Sequence, residues 1–114
     1  GTFGAGLQAH DLSEARGLKR ALGERAGKIP ALATKGYTGN NGAGAGALDV
    51  AIAAMCMRHN TVPAAANVSA VDPQCGLNVV TKDPVDAKMD VVVTVAYALG
   101  GGQNAALVLK RLEA

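Results

Sequence analysis

Glycine-rich loops are the first feature of this sequence that could perform chemistry. Residues 39–46, GNNGAGAG, lie between a predicted strand and a predicted helix, the context in which backbone amides bind phosphate. The segment lacks the Gly-Lys-Ser/Thr ending of a P-loop and the regular spacing of a dinucleotide-binding loop. Small residues here also allow a buried helix to begin close to neighbouring backbone, and we favour this packing interpretation over a phosphate site.

Cysteine and histidine side chains give only weak signals of a site. Cys56 and Cys75 have neither the spacing of a metal site nor that of a disulfide framework, so we predict two reduced, buried thiols. His59 closes a predicted helix, where it would favour the C-terminal dipole, and His10 is expected in a solvated loop. We therefore predict no metal and no cofactor.

Two predicted helices would position any site. Asp11 and Glu14 have the spacing of a capping box and open an amphipathic helix, which Gly23 and Gly27 end. A second helix, residues 45–58, is apolar nearly all round and is therefore expected to be buried on most sides. The apolar positions of the first helix recur every three to four residues: Leu12, Ala15, Leu18, Ala21 and Leu22.

Short apolar segments predict the strands of a sheet. They cover residues 29–34, with Pro30 near the start, residues 77–81, the Val-rich residues 90–97 and residues 105–112. The absence of polar alternation in residues 90–97 is expected when both faces of a strand are covered. Helices and strands in this order indicate one α/β domain over residues 1–114, with helices on the faces of a sheet.

The composition points to part of a larger assembly. The 23 alanines and 15 glycines make up a third of the 114 residues, and aromatic residues only 3%. Small side chains gain little apolar burial each, so close backbone packing or a missing partner segment must compensate. The net charge of +2 is too small to indicate nucleic-acid binding, and no apolar run is long enough to cross a membrane.

Five short motifs occur in order along the chain, at residues 1–14, 35–40, 42–46, 62–67 and 99–104. Together they resemble the C-terminal half of an elongating β-ketoacyl-[acyl-carrier-protein] synthase, a member of the thiolase-like superfamily. The corresponding segments of that family read E-A-H-G-T-G-T-x-x-x-D-x-x-E, K-x-x-x-G-H, a G-A-A-G-A-like helix start, V-P-x-x-x-N and G-F-G-G-x-N.

Three departures from the family pattern bear on the chemistry. In the family, two His donate hydrogen bonds to the thioester oxygen while malonyl-carrier decarboxylates; the first falls on Phe3 and the second on Asn40. Phe3 has no donor, and one such donor is worth ~3–4 kcal/mol. Asn40 keeps an amide donor, as in initiating ketosynthases and chalcone-type synthases, which have a His beside it. The gating Phe of the last motif falls on Gly100.

The resemblance also implies a set of site residues. Glu14 and Lys35 match the family's buried Glu–Lys pair, in which Lys35 pairs with Glu14 and supports the site architecture. The family's nucleophilic Cys belongs to the N-terminal half, so neither Cys of this chain is expected to carry an acyl group. The acyl-tunnel loop falls on Gly100, Gly101, Gly102 and Asn104.

The resemblance implies a thiolase-like half-domain, with a mixed sheet, a buried Ala-rich helix and an outer amphipathic helix. The expected role is a non-catalytic or chain-length-factor-like domain in fatty-acid or polyketide biosynthesis, because the family's His positions are Phe3 and Asn40. This half alone is not expected to catalyse condensation, because it lacks the half that carries the nucleophile. Two alternatives stay open: an acyltransferase or decarboxylase that uses Asn40, and a free-standing interaction module. Expected partners are the missing N-terminal half, a ketosynthase-like subunit or second copy, and an acyl-carrier protein, in the cytoplasm, without nucleic acid or membrane.

Overall fold

The computed structural model describes residues 1–112 of the chain. These residues form three helices, which lie within residues 8–59, and six strands, of which five follow the last helix; short 3₁₀ turns lie at Gly23–Gly27 and Gly42–Gly44. The predicted α/β class is therefore matched by a mixture of helices and strands. In order, the elements are α1 (Gln8–Leu22), β1 (Pro30–Ala31), α2 (Lys35–Thr38), α3 (Ala45–His59), β2 (Thr61–Val62), β3 (Asn78–Val79), β4 (Val85–Asp86), β5 (Val91–Tyr97) and β6 (Asn104–Lys110).

Helix α1 begins four residues earlier than the capping-box prediction requires. The Asp11 amide donates to the Leu7 carbonyl at 2.9 Å, so Asp11 lies inside the first turn and Leu7 is the N-cap residue. No side chain caps this end, which leaves Glu14 in the second turn and free to bind elsewhere. The capping-box interpretation of Asp11 and Glu14 was therefore wrong, while the buried position of Ala15 agrees with the predicted apolar face.

Helix α3 has one buried face and one bare face. It begins at Ala45, as predicted, and Asn60 ends it in a left-handed conformation, donating its amide to carbonyls of the last turn. Within residues 1–112 nothing covers the opposite side, where Leu48 is 36% and Met55 53% exposed. The predicted burial on most sides was therefore wrong for the described part of the chain. The buried residues follow a helical period: Ala45, Asp49, Ala53, Cys56 and Met57.

The strands form three short pairs. β1 and β3 are parallel, whereas β2–β4 and β5–β6 are antiparallel. The N-terminal residues join two of these pairs, because the Gly1 amino group donates to the Val93 carbonyl of β5 and Thr2 bridges to Ala33 beside β1. These contacts place β6, β5, residues 1–2, β1 and β3 in one layer, but the hydrogen-bonded sheets are three separate pairs, so a continuous mixed sheet stays a prediction.

One helix covers one face of this layer at β5. Helix α3 packs on β5, and a Cβ at Gly46 would lie 3.3 Å from the Ala96 side chain, so a small residue allows the close approach. Thr94 is the one buried residue of β5, and most of β6 is exposed. The prediction that residues 90–97 are covered on both faces was therefore wrong for the described residues.

The hydrophobic core lies on the side of α3 that faces the loops following this helix in the sequence. Its buried members are Leu32, Cys56, Val62 and Val80, with Ile52, Ala64, Ala87 and Met89 packed around them. Within residues 1–112, no helix is both long and apolar enough to cross a membrane.

A substitution at Gly36 tests the close backbone packing that glycine and alanine permit in this chain. A Cβ at Gly36 would lie 2.4 Å from the Ala66 carbonyl oxygen, and such overpacking typically costs ~1–3 kcal/mol. We expect Gly36→Ala to lower the melting temperature of the full-length protein that contains this chain, measured by differential scanning calorimetry.

Gly17→Ala is the matched control for this substitution. Gly17 lies in α1 with nothing within 4 Å of a built Cβ, so Ala should stabilise the helix by up to about 1 kcal/mol. Equal melting temperatures for the two variants would contradict the close contact between Gly36 and Ala66.

Candidate functional site

Phe3, the first of the predicted site residues, is 4% exposed. Its backbone amide donates to Glu14 Oε1 at 2.7 Å, and its ring centroid is 4.6 Å from that of Tyr97. The Lys35 ammonium lies over the ring, 3.8 Å from its centroid, a distance at which a cation is attracted to the aromatic face. The side chain at this position therefore contributes an apolar surface and a cation-binding face, and no hydrogen-bond donor.

Glu14 holds the loop that carries Phe3. The second turn of α1 places its carboxylate beside the N-terminal segment, where it accepts hydrogen bonds from the amides of Phe3 at 2.7 Å and Gly4 at 3.0 Å. Burial raises the pKa of Glu14, and these two hydrogen bonds act in the opposite direction. Glu14 therefore caps the loop between Thr2 and α1, which is a structural role within the site.

Lys35 pairs with an acid that the sequence did not suggest as a partner. Its ammonium lies 2.7 Å from Asp49 Oδ2, and the two side chains are 8% and 6% exposed. The Thr34 hydroxyl donates to the other oxygen, Asp49 Oδ1, at 2.5 Å. The predicted Glu14–Lys35 pair was therefore wrong, because Glu14 serves the loop amides and Asp49 from α3 reaches the ammonium instead.

Asp49 could have been found from its place in the sequence. It is the only charged residue between Ala43 and Met57, in a helix that otherwise presents apolar side chains. An acidic residue in such a helix is almost never fully buried unless it is paired. The first cation on the preceding element, Lys35, is that partner in the structure.

Asn40 occupies an exposed turn between α2 and α3. Its side-chain oxygen accepts a hydrogen bond from the Gly42 amide at 3.0 Å, which orients the side chain. Among the described residues, the Asn40 amide nitrogen has no recorded hydrogen-bond partner. This nitrogen is the hydrogen-bond donor at residue 40, the position that the resemblance assigns to the second His of the family.

Three of the predicted site residues line one cavity of about 610 Å³, and Phe3 lies outside its lining. Glu14, Lys35 and Asn40 contribute to its wall, together with Asn67, which adopts a left-handed backbone conformation with φ of 59°. The rest of the wall is mostly small and apolar: Ala5, Ala33, Ala65, Ala66, Val68, Ala70, Val71, Leu77 and Val79.

The predicted tunnel loop lies on a separate cavity. This second cavity, of about 640 Å³, lies between α1 and the β5–β6 hairpin, and Glu14 lines it as well as the first. Gly101, Gly102 and Asn104 line it, whereas Gly100 does not. The structure therefore places the loop and the Lys35–Asn40 group on two cavities whose walls share Glu14.

The remaining cysteine and histidine predictions need correction at two positions. Cys56 is buried, but Cys75 is only half-buried and lines the first cavity; burial raises the pKa of both thiols. His10 belongs to α1 rather than to a loop, and its ring stacks on Tyr97 with centroids 6.1 Å apart. Within residues 1–112, no three His, Cys, Asp or Glu side chains are grouped to hold a metal ion.

Sequence comparison identifies the family. The profile of the family described as Beta-ketoacyl synthase, C-terminal domain, matches residues 2–69, the stretch that supplies Phe3, Glu14, Lys35 and Asn40. The chain belongs to this family. The thiolase-like fold of the family confirms the predicted fold family, and the domain is the C-terminal half of a ketosynthase.

Similar proteins include polyketide synthase subunits and a 3-oxoacyl-[acyl-carrier-protein] synthase. The chain is 32% identical over 110 residues to the tetracenomycin polyketide synthase ketoacyl synthase alpha subunit of Streptomyces glaucescens, covering 96% of this chain and 26% of that protein. It is 37% identical over 107 residues to the beta subunit from the same organism, covering 94% and 25%. A 3-oxoacyl-[acyl-carrier-protein] synthase 2 of Coxiella burnetii is 35% identical over 109 residues, covering 96% and 26%. The chain thus spans about a quarter of the length of these relatives.

Tyr97 gives this ketosynthase domain a pH-dependent property. Burial, followed by the charges of Glu14 and Asp11, raises the pKa of the Tyr97 phenol to about 12, from an ordinary value of 10.0. Between these values the unfolded chain has lost the proton and the folded chain keeps it, so the free energy of unfolding falls as the pH rises.

The ultraviolet difference spectrum between the full-length protein and Tyr97→Phe isolates this phenol from the other tyrosines. We expect phenolate absorbance in the difference spectrum to develop near pH 12. A difference signal that is complete close to pH 10, the ordinary tyrosine value, would contradict the buried environment of Tyr97.

Proposed function

We propose that this chain is the C-terminal domain of a chain-length-factor-like ketosynthase subunit that does not itself catalyse condensation. The observation that carries the proposal is Phe3, whose buried ring stands at the family's first His position and is covered by the Lys35 ammonium. Its backbone amide is already bound to Glu14. No hydrogen bond to a thioester oxygen is available from Phe3.

Loss of this donor weakens catalysis of decarboxylative condensation more than it weakens binding of the thioester substrate. Decarboxylative condensation develops negative charge on the thioester oxygen, and one preorganised donor to such an oxygen contributes ~3–4 kcal/mol. Asn40 supplies a single exposed amide in place of a matched pair of His. A rate loss of about a hundredfold or more follows from the missing donor alone.

The second cavity supports a role in holding a chain rather than in reacting with it. Ala21, Gly101, Gly102, Ala105 and Ala106 contribute to its wall, and such small side chains leave space for an acyl chain between α1 and the hairpin. A chain-length factor needs such a shaped, apolar wall and no oxyanion donor. The similarity to a ketosynthase beta subunit as well as to alpha subunits supports a paired, heteromeric assembly.

The proposed partners follow from the same role. The chain would pack against the N-terminal half of its own fold and associate with a ketosynthase that retains the Cys and both His, or with a second copy. An acyl-carrier protein would deliver the chain, and the exposed basic residues Arg16, Lys19 and Arg20 on α1 offer an attractive surface for an acidic carrier.

A second candidate function is favoured by Asn40. Its free amide nitrogen and the Lys35 side chain contribute to the same cavity, so acyl transfer or decarboxylation without condensation is the alternative. This activity would require the nucleophile of the N-terminal half and would be lost in Asn40→Ala.

The condensation assay decides between these functions. We expect the full-length protein alone, supplied with acyl- and malonyl-loaded carrier protein, to form no β-ketoacyl product, measured by mass spectrometry of the carrier. Condensation at a rate typical of the family would overturn the proposal. Release of carbon dioxide without condensation, abolished in Asn40→Ala, would favour the second function.

Chain length provides the positive test. In the presence of a catalytic ketosynthase partner, Ala21→Leu should shorten the products, because the larger side chain enters the second cavity from α1. Ala9→Leu places the same substitution on the same helix outside both cavity walls and should leave product length unchanged. Unaltered product length in both variants would contradict the chain-holding role of this cavity.

A further inference from the structure

The charge balance of the first cavity has a consequence for what it can bind. Four charged side chains line it: Lys35, Asp11, Glu14 and Asp72. Lys35 is the only cation among them, and its ammonium is already neutralised by Asp49 at 2.7 Å. Asp49 itself lies outside the cavity wall. It therefore neutralises the Lys35 ammonium without adding its own carboxylate to the wall.

Phe3 adds a second restraint on the same ammonium. The ring lies 3.8 Å from Lys35 Nζ, and the lysine side chain is 8% exposed. An ammonium held between a carboxylate and an aromatic face attracts a further anion weakly, because both neighbours already satisfy its charge. Phe3 and Asp49 together remove Lys35 as an anion-binding group.

The acidic side chains of the wall are not compensated in the same way. Asp11 Oδ1 is buried without a hydrogen-bond partner among the described residues, and the Asp72 carboxylate accepts the Gln74 amide at 2.8 Å. Lys19 approaches the rim beside Gly76, but its side chain is exposed and donates to the Gln74 carbonyl at 3.4 Å. The cavity therefore presents negative charge over an apolar floor.

We propose that Phe3 and Asp49 are specificity-determining residues, which make the first cavity accept neutral acyl groups and reject acyl groups that carry a carboxylate. This inference goes beyond the proposed function, which places the held chain in the second cavity, because it takes the first cavity to be an acyl site as well. Like charges disfavour a carboxylate in a partly enclosed cavity, while a ketone or alkyl end meets the Ala and Val side chains of the wall. A neutral β-ketoacyl group fits this environment, and a malonyl group does not.

Two nearly isosteric probes test the proposal directly. Acetoacetyl and malonyl thioesters of N-acetylcysteamine differ in a methyl ketone against a carboxylate at the end of the acyl group. In ligand-observed NMR titrations of the full-length protein, we expect the acetoacetyl thioester to bind at least about tenfold more tightly than the malonyl thioester. Equal affinities, or tighter binding of the malonyl thioester, would overturn the proposal and leave the condensation result untouched.

Substitutions at Asp49 and Lys35 test whether the charges of these two residues set the preference for the neutral probe. Asp49→Asn removes the neutralising charge from Lys35 and should reduce the preference for the neutral probe severalfold, whereas the double variant Lys35→Met with Asp49→Asn removes both charges and should keep it. Asp83→Asn, an exposed acid outside the cavity wall, is the control and should change nothing. Loss of the preference in the double variant would show that the Lys35–Asp49 balance does not set specificity.

The remaining outcome concerns the site itself. Binding of neither probe to the wild-type protein would show that the cavity is no acyl site and would overturn this inference. The condensation and chain-length measurements would still decide the proposed function, because they depend on Phe3 and on the second cavity.

Discussion

The buried ion pair between Lys35 and Asp49 is the interaction on which the rest of the site depends. Its ammonium and carboxylate lie 2.7 Å apart with both side chains nearly inaccessible, and a buried charge left without its partner typically costs 3–5 kcal/mol. The pair ties the start of α2 to the buried face of α3, and the Thr34 hydroxyl completes the coordination of the carboxylate. Phe3 then rests against the same ammonium, so the N-terminal segment is fixed to both helices.

This arrangement explains how Phe3 packs at the position that the resemblance assigns to a His of the family. A His at position 3 would need space and partners for two ring nitrogens, whereas Phe3 needs only apolar surface and the cation above its ring. Lys35 is thereby retained as a structural charge. The fold loses a hydrogen-bond donor at this position and keeps a rigid, well-packed centre.

The sequence predicted the elements better than their surroundings. The start of α3 at Ala45 and the core of β5 follow from patterns within each segment, and the motifs around Lys35 and Asn40 led to the correct family. The partner of Lys35 could not be predicted in the same way, because the sequence offers two acids, Glu14 and Asp49, and only the folded chain brings one of them within 2.7 Å of the ammonium. The choice depends on where α1 begins: starting at Gln8 turns Glu14 toward the loop amides and leaves the ammonium to Asp49.

The burial of α3 was predicted less well, and the reason lies in the composition of the helix. A helix rich in Ala is apolar on every side, so its composition predicts burial without specifying which face is covered. In the described chain, the face containing Asp49 and Ala53 is covered, and the face containing Leu48 and Met55 is bare. Only contacts made across the fold, such as the pairing of Asp49 with Lys35, distinguish the two faces.

The position of Glu14 links these features to function. Its carboxylate holds the Phe3 and Gly4 amides while its side chain contributes to the walls of both cavities. The Phe3–Gly4 backbone is therefore held by a side chain that contributes to both cavities. The proposed chain-holding role rests on this fixed loop, on the small lining residues of the second cavity and on the shielded Lys35.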